Sequence, residues 1–440
     1  MVNEHLPKSW FLPLQFQSRG KRKPHKDIAG ACDEQRLLIV TQFYPPDYAA
    51  TGQLISELAA RLGGLGMQVN IFTGQPGYAF KKDSAPKREV TECVSIQRSR
   101  TSRILPLRIR GRAINGLLFC LRAAMHLLKT AKQRDLLTIS TEPAYLPFLG
   151  YLAHLLFGLP YICILYDLYP DVAVELNVIS PRHWLVRLWN WCNRQTWKHA
   201  QSIIVLSPSM KNRVVAQYPE IAHKIAIIPS WADPEAIAPI EKQQNWFARK
   251  FDLTEKFTVL YSGNLGRCHD LDTLLDAAHL LQDEPIQFVF IGQGAKLESC
   301  IERVKSLNLN NCLFLPYQDK SVLPYSLTAC DLSIVSISCG LEGVIAPSKL
   351  YGILAAGRPV AAICEPHSYL RELLDNADCG RAFNNGDSLG LANFIRHLAK
   401  TPELVKNWGS SGRAYLMEHF TPEIIAKEYF RLFERAIRND

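Results

Sequence analysis

Short continuous runs of apolar residues recur along the chain. Most are followed by a glycine-containing turn and a stretch with the 3.6-residue period of an amphipathic helix. Arg36–Val40 predicts the first buried strand, Gly52–Leu62 a helix, and Gly63-Gly64 its stop. Strands are predicted next at Val69–Phe72, Leu136–Ile139, Tyr161–Leu165, Ser202–Leu206 and Ile225–Ile228, and Pro229 ends this series. A second series begins at Thr258–Tyr261 and continues at Phe288–Ile291, Cys312–Leu315, Leu332–Val335 and Pro359–Ala362. Fully apolar strands alternating with helices imply parallel sheets covered on both faces. Two such series imply an α/β chain of two Rossmann-like, doubly wound domains facing across a cleft, with ligands at the carboxyl ends of the strands.

The boundaries follow from punctuation. Residues 1–33 read as a flexible basic leader, 34–230 as the first domain and 231–421 as the second. Ala232–Gln244, with Pro234 and Pro239, forms the linker. Residues 422–440 read as a terminal helix, capped by Thr421, that packs back on the first domain. The leader lacks the order of a secretory signal, because its basic cluster Arg19–Lys26 follows the apolar Trp10–Phe16. Tyr145–Tyr166 approaches the length of a membrane span, but Gly158-Leu159-Pro160 breaks it into a helix, Leu146–Phe157, and a strand.

Composition adds little to this picture. With 440 residues, 48% hydrophobic and 21% charged, the chain is globular and long enough for two cores. Its net charge of +9 suits acidic partners without choosing among them, and nucleic acid has no support beyond that charge. The twelve cysteines are scattered and show no zinc-ligand or redox spacing, which fits a reducing compartment and predicts no metal.

Candidate chemistry lies in the loops after strands. Tyr44–Gln53 joins the first strand to the first helix, and Gly52 would let a ligand approach that helix. In Ser262-Gly263-Asn264-Leu265-Gly266-Arg267 two glycines free backbone amides, and Arg267 adds a fixed cation suited to a pyrophosphate. Asp270-Leu271-Asp272 imitates a metal-binding Asp-x-Asp, yet Asp270 is placed to cap the helix Leu271–Leu281 and Asp272 to favour its positive end. Ile291-Gly292-Gln293-Gly294 again exposes amides; Leu297 replaces the third glycine of a dinucleotide fingerprint. Pro347 suits the first turn of a helix, which would leave the amides of Ser348 and Lys349 free, ahead of Leu350, for a leaving diphosphate. From Arg98 to Arg134 basic and apolar residues alternate, giving either a face for anionic lipid or the first domain's helical layer.

Together these pieces resemble the retaining family 4 glycosyltransferases, in particular the bacterial exopolysaccharide and colanic-acid-type subgroup. The resemblance rests on Tyr44-Pro45-Pro46, Asp167–Asp171, Ile228–Asp233, Gly263–Gly266, and Pro347-Ser348-Lys349-Leu350 before Leu354–Pro359. It implies a GT-B fold and a metal-independent hexosyltransferase that needs no cofactor beyond its co-substrate. That co-substrate would be a UDP- or GDP-sugar, and the acceptor a glycan or polyprenyl-diphosphate-linked chain at the cytoplasmic face of the membrane. By the same resemblance, Arg267 and Lys349 steady the departing diphosphate. Glu342 lies by the donor sugar, Asp167 offers a polar group from the acceptor side, and Gly263, Asn264, Gly266, Gly292, Gly294, Ser348 and Leu350 line the donor. Gly352 stands where the family's ribose-binding glutamate is expected. A GT-B sugar-nucleotide epimerase and a non-catalytic sugar-nucleotide binder remain as alternatives.

Overall fold

The computed structural model describes residues 36–438 except 48, 77–84, 92, 101–108 and 133–134. The leader therefore lies outside the described residues, as does most of Ile104–Arg110. Eight strands form the first sheet: β1 (Arg36–Val40), β2 (Gln68–Thr73), β3 (Arg88–Val90), β4 (Val94–Arg98), β5 (Leu136–Ser140), β6 (Tyr161–Leu165), β7 (Ser202–Val205) and β8 (Ile225–Ile227). Their spatial order is β3-β4-β2-β1-β5-β6-β7-β8, parallel except for β3 against β4. Six strands form the second: β9 (Phe257–Ser262), β10 (Ile286–Ile291), β11 (Cys312–Leu315), β12 (Leu332–Ser336), β13 (Val360–Ile363) and β14 (Gly380–Phe383), in the parallel order β11-β10-β9-β12-β13-β14. The helices are α1 (Ala50–Gly64), α2 (Ile109–Thr130), α3 (Pro147–Phe157), α4 (Asp171–Glu175), α5 (Trp184–His199), α6 (Pro208–Gln217), α7 (Trp246–Lys250), α8 (Asp272–Leu280), α9 (Leu297–Ser306), α10 (Leu323–Thr328), α11 (Lys349–Ala355), α12 (Tyr369–Ala377), α13 (Ser388–Ala399), α14 (Pro402–His419) and α15 (Pro422–Arg438).

The central strands are apolar because they are covered on both faces: every residue of β5, β6, β10 and β12 is buried. In the first sheet β1 lies between β2 and β5, with Leu38 opposite both Asn70 and Leu137. In the second, β9 lies between β10 and β12, with Leu260 opposite Val289 and Ser333. The chain therefore reverses its winding beside β1 and beside β9. Loops from adjacent strands diverge there and leave a crevice at each sheet's carboxyl edge.

Three details depart from the expectation. Strand β4 claims Arg98, whose buried guanidinium bonds Glu89 and the carbonyls of Pro86 and Pro45, so it belongs to the core and to no amphipathic face. Gly63 and Gly64 complete the last turn of α1, and the chain reverses after it at Gly66, φ +92°. Helix α11 starts at Lys349, two residues after Pro347. The amides of Leu350 and Tyr351 donate to the Pro347 and Ser348 carbonyls. Gly158 breaks the long apolar region as expected, closing α3 in the left-handed conformation at φ +66°. Helix α15 buries Ile425, Tyr429 and Phe433 against α1 and beside β5, and Tyr429 meets Trp231 edge-on at 6.3 Å.

Candidate active site

The second domain contributes cations. After β9 the backbone turns at Gly263, φ +129°, and its amide donates to the Ile291 carbonyl. The side chain of Lys349 lies across this glycine: a Cβ there would stand 3.3 Å from Cε and 3.4 Å from Nζ. The Lys349 amine sits 3.6 Å above the Tyr261 ring centroid, is buried, and has no hydrogen-bond partner among the described residues. Burial lowers its pKa to about 7. An ammonium held only by a ring face leaves its N–H donors unspent, which is a strong demand for an anion. Arg267 is exposed on the same loop, and among the described residues nothing holds its guanidinium. His269 is buried and its Nδ1 bonds the Ser336 carbonyl at 2.8 Å; burial, with Lys349 and Lys296 nearby, lowers its pKa to about 3, so the ring stays neutral.

The paired glycines of the next loop serve close backbone approach. A Cβ at Gly292 would lie 1.9 Å from the Gly263 oxygen, and one at Gly294 2.3 Å from the Leu265 oxygen. The Gly292 amide is spent on Leu315, so that donor is not free for a ligand. Asn264 is exposed at the tip, and Gly266 tucks beneath its side-chain amide. The Asp-x-Asp imitation resolves as capping. Asp270 accepts from the Thr273 amide and hydroxyl and from Asn385, whereas Asp272 pairs with Arg303 and Lys296.

The first domain contributes carboxylates at the ends of β1, β5 and β6. Thr51 donates to Glu142 at 2.5 Å. Burial raises the Glu142 pKa to about 7, opposed by the Thr51 bond and reinforced by the charges of Asp167 and Asp47. Burial likewise raises Asp167 to about 6. Sequence reading named Asp167 and missed Glu142, whose partner Thr51 is 91 residues away. A local signal existed in Ser140-Thr141-Glu142-Pro143, a polar cluster directly after a buried strand. Gly52 plays another part than the one expected. A Cβ there would stand 2.8 Å from the Phe43 carbonyl carbon, so the space is filled by the loop itself.

The two halves touch beside this site. The Leu168 amide donates to the Val344 carbonyl at 2.9 Å, and Asp167 forms a β-bridge with Ile345. Arg213 pairs with Asp171 and Glu175 and reaches the Gly340 carbonyl at 3.4 Å. Burial, and after it the charge of Asp167, raises the pKa of Cys268, between Arg267 and His269, so the acidic and basic loops face one another. Glu342 is 4% exposed, and neither carboxylate oxygen has a partner among the described residues. Ser348 and Leu350 flank Lys349 in sequence, and Leu350 is fully buried. Gly352 sits one turn further along α11, where a Cβ would meet only a Leu327 methyl at 3.5 Å. Among the described residues no group of His, Cys, Asp and Glu is arranged to hold a metal ion.

An arrangement of this kind, acidic on one sheet edge and basic on the other, can hold an anionic leaving group against a hydroxyl-bearing partner. Comparison with known proteins bears on the family. Residues 50–231 match the glycosyl transferase 4-like domain, and residues 242–415 match the glycosyl transferases group 1 family. The chain is 23% identical to the Pseudomonas aeruginosa protein named "Probable glycosyltransferase WbjE", over 92% of this chain and 99% of that one. It is 27% identical to the Escherichia coli protein named "Putative colanic acid biosynthesis glycosyl transferase WcaI", over 40% of this chain and 44% of that one. The fold superposes on that of HepE from Anabaena in complex with UDP-glucose, with a TM-score of 0.68, 14% identity and coverage of 91% and 99%.

Proposed function

Because the chain belongs to the glycosyl transferases, joining a 4-like domain to a group 1 domain in the GT-B fold, we propose that it transfers a sugar from a nucleoside-diphosphate sugar to a glycan or polyprenyl-diphosphate-linked acceptor. The observation that carries the reading is the buried, unpartnered Lys349 amine lying across Gly263 at the carboxyl end of β9. A diphosphate placed there supplies the missing acceptor atoms and favours the charged amine. Arg267, on the rim, adds a second cation. Preorganised cations of this kind stabilise the charge that develops as the bond from the anomeric carbon to phosphate oxygen breaks. No metal enters this scheme, and Gly263, Asn264, Gly266, Gly292, Gly294, Ser348 and Leu350 form the surrounding wall.

The acceptor enters from the carboxylate side. Its hydroxyl attacks the anomeric carbon on the face that the diphosphate leaves, so configuration is retained. The proton passes to Glu142 or to the departing phosphate, and Asp167 orients the hydroxyl. Glu342, buried and unpartnered, waits for the donor sugar's hydroxyls. The bound UDP-glucose of HepE supports a nucleotide-sugar donor, and the name of WcaI supports a place in exopolysaccharide synthesis.

Calorimetric titration of UDP, GDP and their sugars in the presence of EDTA tests the donor half. One diphosphate should bind without metal, and Lys349→Ala should weaken it at least about tenfold, or 1.4 kcal/mol. Binding of none of them, or binding indifferent to Lys349, would sink the assignment.

A further inference from the structure

Helices α2, α3 and α5 cover one side of the first sheet, with α3 packed against both of the others. On the outward side of α2, Leu117, Leu121 and Leu128 follow one another at spacings of four and seven residues, hence on one helical stripe. Leu156 of α3, and Trp184 and Trp191 of α5, extend this stripe sideways. All six side chains are more than half exposed. Single exposed leucines need no explanation, but a run of them across three adjoining helices does.

The charge on these helices is one-sided. They carry seven arginines and lysines and no aspartate or glutamate, in a chain that has 50 basic and 41 acidic residues. Arg187 and Lys198 of α5 are exposed beside the tryptophans, whereas Arg194 pairs with Glu220 at 2.9 Å. A second copy of the chain would oppose this face to itself across a two-fold axis, setting cation against cation. An anionic lipid surface complements it, because leucines enter the acyl boundary, tryptophans rest at headgroup level and arginines meet phosphates. No helix among the described residues is long and apolar enough to cross a membrane, so the contact is tangential.

We propose that the α2–α3–α5 face docks on a bilayer containing anionic phospholipid. The face is coupled to the acceptor half of the cleft. Tyr145, three residues after Glu142, donates to the Ala113 carbonyl of α2 at 2.5 Å and meets Trp189 of α5 at 6.3 Å. The same Trp189 stacks on Tyr169 at 6.1 Å, in the segment that carries Asp167. Docking therefore sets the carboxylate edge beside the lipid headgroups, where a lipid-linked acceptor would present its sugar. Binding to lipid stands independently of the donor assignment.

The test is co-sedimentation of the full chain with vesicles of phosphatidylethanolamine containing phosphatidylglycerol, and with phosphatidylcholine vesicles as the neutral control. Wild type should sediment with the anionic vesicles only, less at high salt, with a blue-shifted tryptophan emission. Trp184→Ser with Trp191→Ser, and separately Arg187→Glu with Lys198→Glu, should each lower the partition at least about tenfold. Both variants should retain wild-type UDP affinity, which reports an intact fold and keeps this outcome separate from the donor reading. Wild type that stays in the supernatant, or variants that sediment as wild type does, would overturn the proposal. A wild-type dimer that either variant converts to monomer in light scattering would also overturn it and assign the face to a second copy.

Discussion

The two sheets are alike in construction and opposite in charge at their working edges. Each reverses its winding beside its first strand, and each presents loops from central strands to the cleft. The first domain places Asp47, Glu142 and Asp167 there, and burial pushes Glu142 and Asp167 toward neutrality. The second domain places Lys349 and Arg267, and burial pushes Lys349 in the same direction from the other side. Burial thus works against the charged form of Glu142 and Asp167 on one edge and of Lys349 on the other. A nucleoside diphosphate would supply the charge that one side lacks and leave the carboxylates to the acceptor. One architecture thus provides two dissimilar binding surfaces through its loops alone.

The separation of roles can be broken by substitution. Lys349→Ala should reduce transfer about 10²- to 10³-fold, in line with the loss of one preorganised charge stabiliser, when initial rates are followed by nucleotide release. Glu142→Gln should reduce it about 100-fold while UDP affinity, measured by calorimetry, stays at the wild-type value. If Glu142→Gln weakened UDP as much as Lys349→Ala does, the two edges would not divide donor from acceptor.

Titration sharpens the contrast. The free Lys349 amine loses its proton as pH rises through about 7, whereas a bound diphosphate favours the charged form. UDP affinity should therefore be full below neutrality and fall by up to about tenfold per unit as pH rises from 7 to 9. The same titration on Lys349→Ala should be flat over that range. The smallest effect concerns Gly352. The site has room for a methyl group, and alanine loses less backbone freedom than glycine on forming a helix. Gly352→Ala should thus raise stability by about 0.5–1 kcal/mol in urea unfolding and leave UDP binding intact. A loss of UDP affinity there would show that the donor presses against this position.

Much of this was legible from pattern. Both strand series, the break at Gly158, the capping by Asp270 and the helix that starts at Lys349 all have local signals: continuous apolar runs, a Gly-Leu-Pro interruption, an acidic residue before a helix, and Pro-Ser-Lys before an apolar segment. What escaped depends on contacts between distant segments. Val94-Ser95-Ile96-Gln97-Arg98 alternates like a strand, but it is only five residues long and runs into basic sequence, so its last residue was grouped with the wrong neighbours. Strand β14 has four residues and begins with glycine. Glu142 acquires its character from Thr51, Asp47 and Asp167, which only the sheet brings together. The close packing of Gly292 on Gly263 is equally non-local: the glycines were visible, but their reason was a neighbouring backbone.

The return of α15 to the first domain has a consequence in time. During synthesis β8 is complete at Ile227, yet the helix that covers α1 and the flank of β5 is made some two hundred residues later. At 5–20 residues per second the interval is roughly 10–40 s. Throughout it the first domain has its strands but not its full cover, and the groove that will receive Tyr429 and Phe433 stays open to other chains and to chaperones. Each ribosome-bound copy therefore passes through an adhesive stage that the finished protein never revisits, and it ends when the latest-made helix shuts the earliest-made core.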